Sequence, residues 1–438
     1  MLPPLFFSVR APTLLASFWR AHLSRQSSYV SPRRGPLSFI LFRLDALGDV
    51  VMTTPLFREL KRTCPSSHLT VVVQAAFRSL LVTNPHIDQI LTVREVKTRW
   101  LPRRAKKLLA ALILYWTRLR GRHYDVAISP RWDLDEHLAT LLCVLTNATV
   151  SLGYCEAVSP LKQKLNRGFD DAFGICLRPG PLQHEVLRNL AFVTTVGGVV
   201  QESSLDIRVT ERNREQASRL LGPVADSTTL VALGIGARSA SRRWPLEFFA
   251  QSVVRLARHG PVQPIILCSS SERPQALELV GLLRCEPILS CGAPLRDVCA
   301  LLERCDLFIG NDSGTAHLAA AMDCRTIVIS RHPRDGDPNH SNSPRRFAPY
   351  CERYRVLQPS SGLDGCASSC RSHEPHCITA VSVEEVVAAA RQMLLAERVS
   401  PVPITEYAKP KQETGVLHLR VDAGRTVEFQ RPEPVGAP

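Results

Sequence analysis

The feature that most constrains the fold is an alternation between short apolar runs and longer segments with helical spacing. The runs "SFILFRL", "HLTVVVQ" and "YDVAIS" occur in this order from residue 38 onward, and segments with apolar residues every three or four positions separate them. Strands that alternate with helices in this way pair in parallel, with helices on both faces of the sheet. The sequence therefore predicts doubly wound α/β architecture.

The same pattern starts again near residue 229, which predicts a second sheet of the same kind. The expected strands are "TTLVALGIG", "QPIILCSS", "EPILS", "DLFIGN" and "RTIVIS", and the expected helices cover 246–258, 273–284, 294–304 and 313–322. A chain of 438 residues exceeds one ordinary core of about 250 to 300 residues. We therefore expect two Rossmann-like domains that face a central cleft, where open α/β sheets bind ligands.

Composition and spacing divide the chain into five predicted segments. Residues 1–37 form a basic leader, 38–205 the first domain, 206–228 a linker, 229–397 the second domain and 398–438 a mobile tail rich in proline. The linker contains "TERNREQASRLL", whose high charge predicts one exposed helix.

The charge of the chain favours anionic partners, because 54 Lys and Arg oppose 40 Asp and Glu and leave a net charge of +14. From Lys97 to Arg122, nine basic residues and no acid surround the apolar run "LLAALILYW". A helix there is either a solvated face over packed residues, or a contact for a membrane surface or a phosphorylated acceptor. No nucleic acid is expected as a partner, since no recognition motif accompanies the charge.

The leader is rich in arginine and contains no acid, since the first acidic residue of the chain is Asp45. Leu15, Trp19 and Leu23 recur at helical spacing, which predicts a helix that lies on an anionic membrane surface. A transit peptide and a disordered leader are the alternatives. No segment approaches the roughly 20 apolar residues that a spanning helix needs.

The 14 cysteines are scattered, often inside apolar stretches where a free thiol behaves as a small buried hydrophobe, which indicates a reducing compartment. One group is denser: "CASSCRSHEPHC" carries Cys366, Cys370, His373, His376 and Cys377. These residue types suit zinc, but their spacing fits no standard zinc module. Structural thiols are the leading interpretation, and a structural metal and a disulfide are the alternatives.

The stretch "RLDALGDVVMTTP", residues 43–55, leaves the first strand through two acids and a glycine. Gly48 gives the turn its conformational freedom, and Asp49 falls in the first turn of the following helix, at the predicted cleft. An acid at this position is either a helix cap or a catalytic group, and spacing alone favours the cap.

The loop "GNDSGTAHLAAA" follows a strand of the second half and suits a phosphate. Asp312 or Ser313 is expected to cap the helix, and Gly314 lets a ligand approach the backbone. The N–H groups of Ser313, Gly314 and Thr315 are expected to face negative charge. His317 lies one turn further, where it either reaches a nucleotide or packs in the core.

A third loop, "GIGARSASRRWP", carries two arginines that have the paired planar donors needed to clamp a diphosphate. These are Arg242 and Arg243. The alternative is a surface loop with two solvated arginines.

Together these pieces resemble glycosyltransferase family 9, whose best-known members are the heptosyltransferases of lipopolysaccharide core synthesis. "RLDALGDVVMTTPLFRELK" is similar to the opening strand, loop and helix of that family, "RRWPLEFFA" to its Lys/Arg-x-Trp-Pro segment, and "CDLFIGNDSGTAHLAAAM" to its donor-site motif. Their order and spacing match across roughly residues 38–395.

The resemblance implies a GT-B fold and an inverting glycosyl transfer that needs no cofactor and no catalytic metal; no Asp-x-Asp pair is expected at a cleft position. It implies Asp49 as general base and Arg242 as a ligand of the donor phosphate. The implied nucleotide-sugar site consists of Asp312, Ser313, Gly314, Thr315 and His317.

The resemblance also implies ADP-heptose as donor and a lipopolysaccharide inner-core sugar as acceptor. The basic segment 97–122 and the leader favour an acceptor that is lipid-linked or phosphorylated. The expected place of action is the cytoplasmic face of the membrane. One departure concerns the donor: after "TIVIS" many members carry a Gly-Pro-Thr turn, whereas this chain has "RHPRDGDPNHSNSPRRFAPY". Another nucleotide sugar, a GT-B nucleotide-sugar isomerase or epimerase, and a non-catalytic binding relative remain alternatives, and an acceptor requirement separates them.

Overall fold

A computed structural model of the protein describes residues 36–395, except 147, 171–172 and 367–368, together with the backbone of two short strands at 418–421 and 427–430. The first half forms a six-stranded parallel sheet in the order β3-β2-β1-β4-β5-β6. Its strands are β1 Ser38–Arg43, β2 His68–Gln74, β3 Gln89–Val93, β4 Val126–Ser129, β5 Val150–Tyr154 and β6 Ile175–Leu177.

The second half repeats this topology in a second parallel sheet with the order β12-β11-β10-β7-β8-β9. Its strands are β7 Thr229–Gly234, β8 Val262–Cys268, β9 Ile288–Cys291, β10 Leu307–Asn311, β11 Arg325–Ile329 and β12 Tyr354–Leu357. Both orders are the doubly wound arrangement in which the chain reverses direction beside the first strand, and ligands bind at that point.

Helices cover both faces of each sheet. Those of the first half are Leu47–Thr63, Arg78–Leu81, Arg103–Leu114, Ala139–Leu145, Pro160–Leu165 and Glu185–Thr195. Those that follow are Glu211–Leu221, Leu246–Leu256, Arg273–Leu282, Leu295–Arg304, Gly314–Ala321, Pro344–Phe347 and Val383–Leu395, and 3₁₀ turns include Ala240–Arg242 and Cys377–Ala380.

The central strands are apolar along their length because helices cover both of their faces. Phe39, Ile40 and Leu41 of β1 are fully buried, as are Phe308 and Ile309 of β10. All strands and helices predicted above from the apolar pattern between residues 38 and 330 are confirmed. The strands β3, β5, β6 and β12 were not predicted, and three of them lie at sheet edges, where half-buried positions give mixed sequences.

The helix predicted within residues 206–228 is Glu211–Leu221, and it packs against the helix Leu295–Arg304. The amide of Asn213 donates to Asp297 (2.7 Å), and Arg214 pairs with Glu303 (2.8 Å). This segment is therefore attached to a helix of the second half by specific polar contacts.

The basic segment forms the helix Arg103–Leu114, which continues through the π-helical turn Tyr115–Leu119. Among the described residues, no helix is both long and apolar enough to cross a membrane. The predictions for the leader fall on residues 1–35, which lie outside the described part of the chain. In the predicted tail, His418–Val421 and Val427–Gln430 pair as antiparallel strands.

Candidate active site

The loop that carries Asp49 and the loop that carries His317 meet across the cleft between the two sheets. A Cβ atom added to Gly48 would lie 2.6 Å from Cδ2 of His317, and one added to Gly314 would lie 2.7 Å from Cβ of Leu47. Both distances are too short for any side chain, so glycine at these two positions lets the two helix N-termini approach each other. The structure thus brings the predicted base and the predicted donor loop into one site.

Asp49 is a helix cap whose carboxylate also reaches the cleft. Its Oδ2 accepts a hydrogen bond from the backbone N–H of Ala46 (3.1 Å), so the helix cap is present. Its Oδ1 lies 3.4 Å from Nη1 of Arg131, and 13% of the side chain remains exposed toward the cleft. The cap interaction occupies one carboxylate oxygen and leaves the other beside a cation at the cleft.

Two neighbouring carboxyl groups at this turn differ in protonation behaviour. Burial raises the pKa of Asp49, against the attraction of Arg131 and with a further contribution from the charge of Asp45. For Asp45 burial also favours the neutral form, but Arg131 and Arg43 outweigh it and lower the pKa. Asp45 therefore stays a fixed anion, while Asp49 is the group of the pair that takes up a proton more readily.

A buried network that the sequence did not reveal joins the two halves next to Asp49. Arg346, which is fully buried, donates to both oxygens of Asp133 (3.1 and 2.7 Å) and to Oε1 of Glu185 (2.7 Å). Its guanidinium carbon lies 4.4 Å from the ring centre of Trp132. The only sequence signal was the polar stretch "PRWDLDEH" directly after a predicted strand, where cleft residues are expected.

This network corrects one expectation from the sequence. Asp133 and Asp135 form an Asp-x-Asp pair that lies at the cleft, after β4, although none was expected there. Asp133 is bonded to Arg346, and Asp135 accepts from the backbone N–H groups of Ala139 (3.1 Å) and Thr140 (2.8 Å). A second pair, Asp335 and Asp337, follows β11.

The two predicted donor loops are bonded to each other. Nη2 of Arg242 donates to Oδ2 of Asp312. Asn311, the residue before it, donates to the carbonyl of Ile235 (2.7 Å) and accepts from the backbone N–H of Trp244 (2.8 Å). The strand ends therefore hold Arg242 above the helix that starts at Gly314.

Arg243 does not share this position with Arg242. It donates through Nη2 to the carbonyl of Ala237 (3.1 Å), which braces its own loop. Of the two arginines, only Arg242 is bonded to the loop of Asp312, and a clamp of one diphosphate by both stays a prediction.

Three of the predicted donor-binding side chains retain a buried polar atom that has no hydrogen-bond partner within the described part of the chain. These atoms are Nε of Arg242, Oγ of Ser313 and Nδ1 of His317. Ser313 is the N-cap residue of its helix, yet its hydroxyl makes no cap bond. Buried polar groups are nearly always paired, so their convergence in one place indicates a polar ligand.

His317 is neutral in this arrangement. Burial lowers its pKa to about 4, opposed by Asp312 and assisted by Arg242. A neutral imidazole near pH 7 has one donor and one acceptor nitrogen, which suits a hydrogen bond to a nucleotide.

A cavity of ≈ 400 Å³ extends from the turn at Asp45 and Ala46 toward the basic helix. Its basic lining comes from both halves: Arg94, Arg103, Lys106, Lys107 and Arg238. Burial lowers the pKa of Lys107, with Glu136 opposing and Arg103 and Arg238 adding to the effect. This excess of cations indicates a place for an anionic group beside the predicted base.

The sequence also matches the model of a known protein family. Residues 114–356, more than half of the chain, match glycosyltransferase family 9 (heptosyltransferase). The protein belongs to glycosyltransferase family 9. The matched range includes Arg131, Arg242 and the loop around Gly314, and it begins after the loop that carries Asp49.

Individual relatives agree with this assignment. The lipopolysaccharide core heptosyltransferase OpsX of Haemophilus influenzae is 23% identical over 322 residues, which cover 72% of this chain and 82% of the relative. A family 9 glycosyl transferase of Veillonella parvula has a TM-score of 0.64 at 21% identity, covering 84% of this chain and 99% of that one. The Escherichia coli heptosyltransferase WaaC with ADP has a TM-score of 0.57 at 15% identity, with 82% and 100% covered. The predicted GT-B fold and the predicted family are confirmed.

Proposed function

We propose that this family 9 glycosyltransferase moves heptose from ADP-heptose onto a lipopolysaccharide inner-core acceptor, with inversion at the transferred carbon. The observation that carries the proposal is the meeting of Asp49 with the loop of Asp312 and His317 at the cleft. The proposal is further supported by two structures of similar fold, those of WaaC with ADP and with ADP-2-deoxy-2-fluoro heptose.

In the proposed reaction Asp49 is the general base. The acceptor oxygen attacks the anomeric carbon of the heptose as Oδ1 of Asp49 takes its proton, and the bond from that carbon to the diphosphate oxygen of ADP breaks. The raised pKa of Asp49 suits a base that must hold the proton after transfer. Arg131 lies 3.4 Å away and orients the ionised carboxylate before the reaction.

The donor loops bind the departing ADP. Arg242 supplies a permanent positive charge. The first N–H groups of the helix Gly314–Ala321 have no carbonyl partner within the helix and can donate to the diphosphate. Ser313 and the neutral His317 each add a polar atom without a partner in the described residues. These groups stabilise the negative charge that develops on the leaving diphosphate.

We also propose that transfer requires no added divalent ion. Arg242 and the helix N-terminus already supply the positive potential that such an ion would provide at the diphosphate. The carboxylates of Asp133 and Asp135 are engaged by Arg346 and by backbone N–H groups, so neither is free to bind a cation in this arrangement.

The acceptor is proposed to carry phosphate. The basic cavity opens beside Asp45 and Ala46, within the same turn as Asp49, and its cations come from the helix Arg103–Leu114, from Arg94 after β3 and from Arg238 of the facing loop. A phosphorylated inner-core sugar placed there brings its hydroxyl toward Asp49 while its phosphate meets Lys106 and Lys107.

The same helix is proposed to rest on the anionic inner face of the cytoplasmic membrane. Its outward surface, with that of the π-helical turn that continues it, exposes Leu108 (43% exposed), Ile113 (49%) and Trp116 (58%). Trp100 (93%), which precedes the helix, is also exposed. The guanidinium of Arg120 lies 4.4 Å from the ring centre of Trp116. Apolar and aromatic residues bordered by arginine are typical of an interfacial helix on anionic lipid.

Vesicle binding tests this membrane contact. The double variant Ile113→Ala/Trp116→Ala is expected to lose about tenfold or more in affinity for mixed phosphatidylglycerol and phosphatidylcholine vesicles, since each side chain loses apolar burial. Leu277→Ala, which removes an equally exposed apolar residue elsewhere, is the matched control. Equal binding of the double variant and the control, or equal wild-type binding to pure phosphatidylcholine, contradicts an anionic membrane contact.

The reaction itself is tested by product analysis. Purified protein is incubated with ADP-heptose and a lipid A-type inner-core acceptor, with and without its phosphates and with and without added Mg²⁺. We expect a mass gain of one heptose on the phosphorylated acceptor, an inverted anomeric configuration by NMR, and no stimulation by Mg²⁺. Transfer of a different sugar, retention of configuration, or dependence on Mg²⁺ overturns the corresponding part of the proposal.

A further inference from the structure

The second domain contains a cluster of metal-ligand side chains that includes none of the residues assigned above to the reaction or to the donor. The sulfur atoms of Cys366, Cys370 and Cys377 and a ring nitrogen of His376 all lie within 4.8 Å of one another. We propose that these four side chains form a structural zinc site. His373, which the sequence grouped with them, is exposed and lies outside the cluster.

The distances fit a tetrahedral ion. Nδ1 of His376 lies 3.6 Å from Sγ of Cys366 and 3.4 Å from Sγ of Cys377. Around zinc, with bonds of about 2.3 Å to sulfur and 2.0–2.1 Å to nitrogen, a tetrahedron places sulfur and nitrogen about 3.6 Å apart. One nitrogen directed at two sulfurs is poorly explained by a single hydrogen bond, whereas a shared ion between them explains it.

The ligand set and its surroundings also favour zinc. Three thiolates and one imidazole are a closed structural set, and they select zinc over harder cations. Cys370 and Cys377 are buried, and the backbone N–H of Arg371 donates to Sγ of Cys366 (3.4 Å), as expected of a sulfur that carries negative charge. All 14 cysteines lie among the described residues, and all carry free thiols.

The segment around the cluster needs such an anchor. Between β12 and the 3₁₀ turn Cys377–Ala380, the described residues contain no helix or strand, and a loop of this length is uncommon without a stabilising element. The free energy of metal binding can order a segment that does not bury a hydrophobic core of its own.

The cluster segment also supports the loop of Arg242. The carbonyl of His373 accepts from the backbone N–H of Ser241 (3.1 Å), and Arg331 donates both to Oγ of Ser241 (2.5 Å) and to the carbonyl of Ser372 (3.4 Å). The zinc site is therefore expected to position the loop that binds the donor diphosphate. This second consequence rests on the proposed donor role of Arg242, whereas the metal content does not.

Metal analysis of the purified full-length protein tests the site. We expect about one zinc ion per chain in the wild type and in two controls, His373→Ala from the same segment and Cys285→Ser at an exposed lone thiol. Cys370→Ser and Cys377→Ser are expected to lose the ion, and His376→Cys to keep it as a four-thiolate site. Cobalt substitution of the wild type should give the visible spectrum of tetrahedral thiolate coordination.

Several results would overturn the inference. They are the absence of stoichiometric metal in soluble wild type, stoichiometric iron in place of zinc, and a disulfide among these cysteines shown by alkylation of the denatured chain with and without reductant. The serine variants could fail to fold, and the test then depends on His376→Cys. A soluble His376→Cys variant without zinc also contradicts the site. ADP affinity of zinc-depleted protein, measured by calorimetry, then reports whether the cluster supports the donor loop.

Discussion

The two walls of the cleft differ in how their polar groups are paired. On the first wall, the carboxylates of Asp45 and Asp49 both pair with Arg131, and that of Asp45 also pairs with Arg43. On the second wall, Ser313 and His317 each keep a buried polar atom without a partner in the described residues. A wall that is already paired fixes the position and charge of a proton acceptor, whereas a wall with unpaired donors and a helix N-terminus is suited to receive an anion.

The largest expected effect comes from removing the charge of Asp49. Asp49→Asn should lower kcat by about two to four orders of magnitude, the usual contribution of a general base, and leave ADP affinity by calorimetry nearly unchanged. Asp45→Asn, in the same turn, is the comparison variant, because its carboxylate is committed to Arg43 and Arg131 and should affect kcat far less. A near-normal kcat in Asp49→Asn would show that Asp49 is not the general base.

The ion pairs next to the first wall should also contribute to the free energy of unfolding. Arg346→Ala leaves Asp133 and Glu185 buried without their cation, and such a loss costs about 3–5 kcal/mol of unfolding free energy. Arg345→Ala, an exposed neighbour on the same helix, should change it by less than about 0.5 kcal/mol. Denaturant unfolding measures both, and equal stabilities would mean that the network contributes nothing to joining the two halves.

On the unpaired wall, the effect should be on donor binding. Arg242→Ala is expected to raise the Kd of ADP about 10–100-fold, as expected for lost charged hydrogen bonds of roughly 1.5–3 kcal/mol. Arg242→Lys restores the charge without the planar fork and should recover only part of the affinity. Arg243→Ala is the matched comparison, since that side chain braces Ala237, and a larger effect there would reverse the assignment.

The smallest effect concerns pH. Asp49 must be ionised to accept a proton and its pKa is raised, so kcat should fall as pH drops through a value above the ordinary 3.8 of an aspartate. Arg131→Gln removes a cation that lowers this pKa, and should move the acid limb of the profile to higher pH. His317, with a pKa of about 4, stays neutral near pH 7. If Arg131→Gln leaves the acid limb of the kcat profile at the same pH, the group that titrates there is not Asp49.

The difference between the walls also explains what the sequence could predict. The donor loop and the Asp49 turn are local features, each readable from a buried strand that ends in glycine and polar residues, and the structure places both at the cleft as the strand ends require. The network of Arg346 depends on a partner, Asp133, that lies 213 positions away in the sequence. No local pattern encodes such a pair, because it forms only when the two sheets pack.

The same reasoning applies to the fold and to the cysteine cluster. Central strands such as β1 and β10 are recognisable as continuous apolar runs because both of their faces are buried, whereas the edge strands β3, β6 and β12 are only partly buried and have mixed sequences. For the cysteines, the spacing alone could not separate thiols from a metal site. Only the folded structure shows that His376 lies beside the three sulfur atoms and that His373 does not.

The most direct test of the account is ADP release from ADP-heptose by the wild-type protein, followed with and without a phosphorylated inner-core acceptor. A base on one wall and a donor site on the other predict rapid release only when the acceptor is present, with one ADP formed for each heptose transferred. Release at the same rate without acceptor would contradict the account, because it would mean that the cleft breaks the donor without using Asp49 to activate an acceptor hydroxyl.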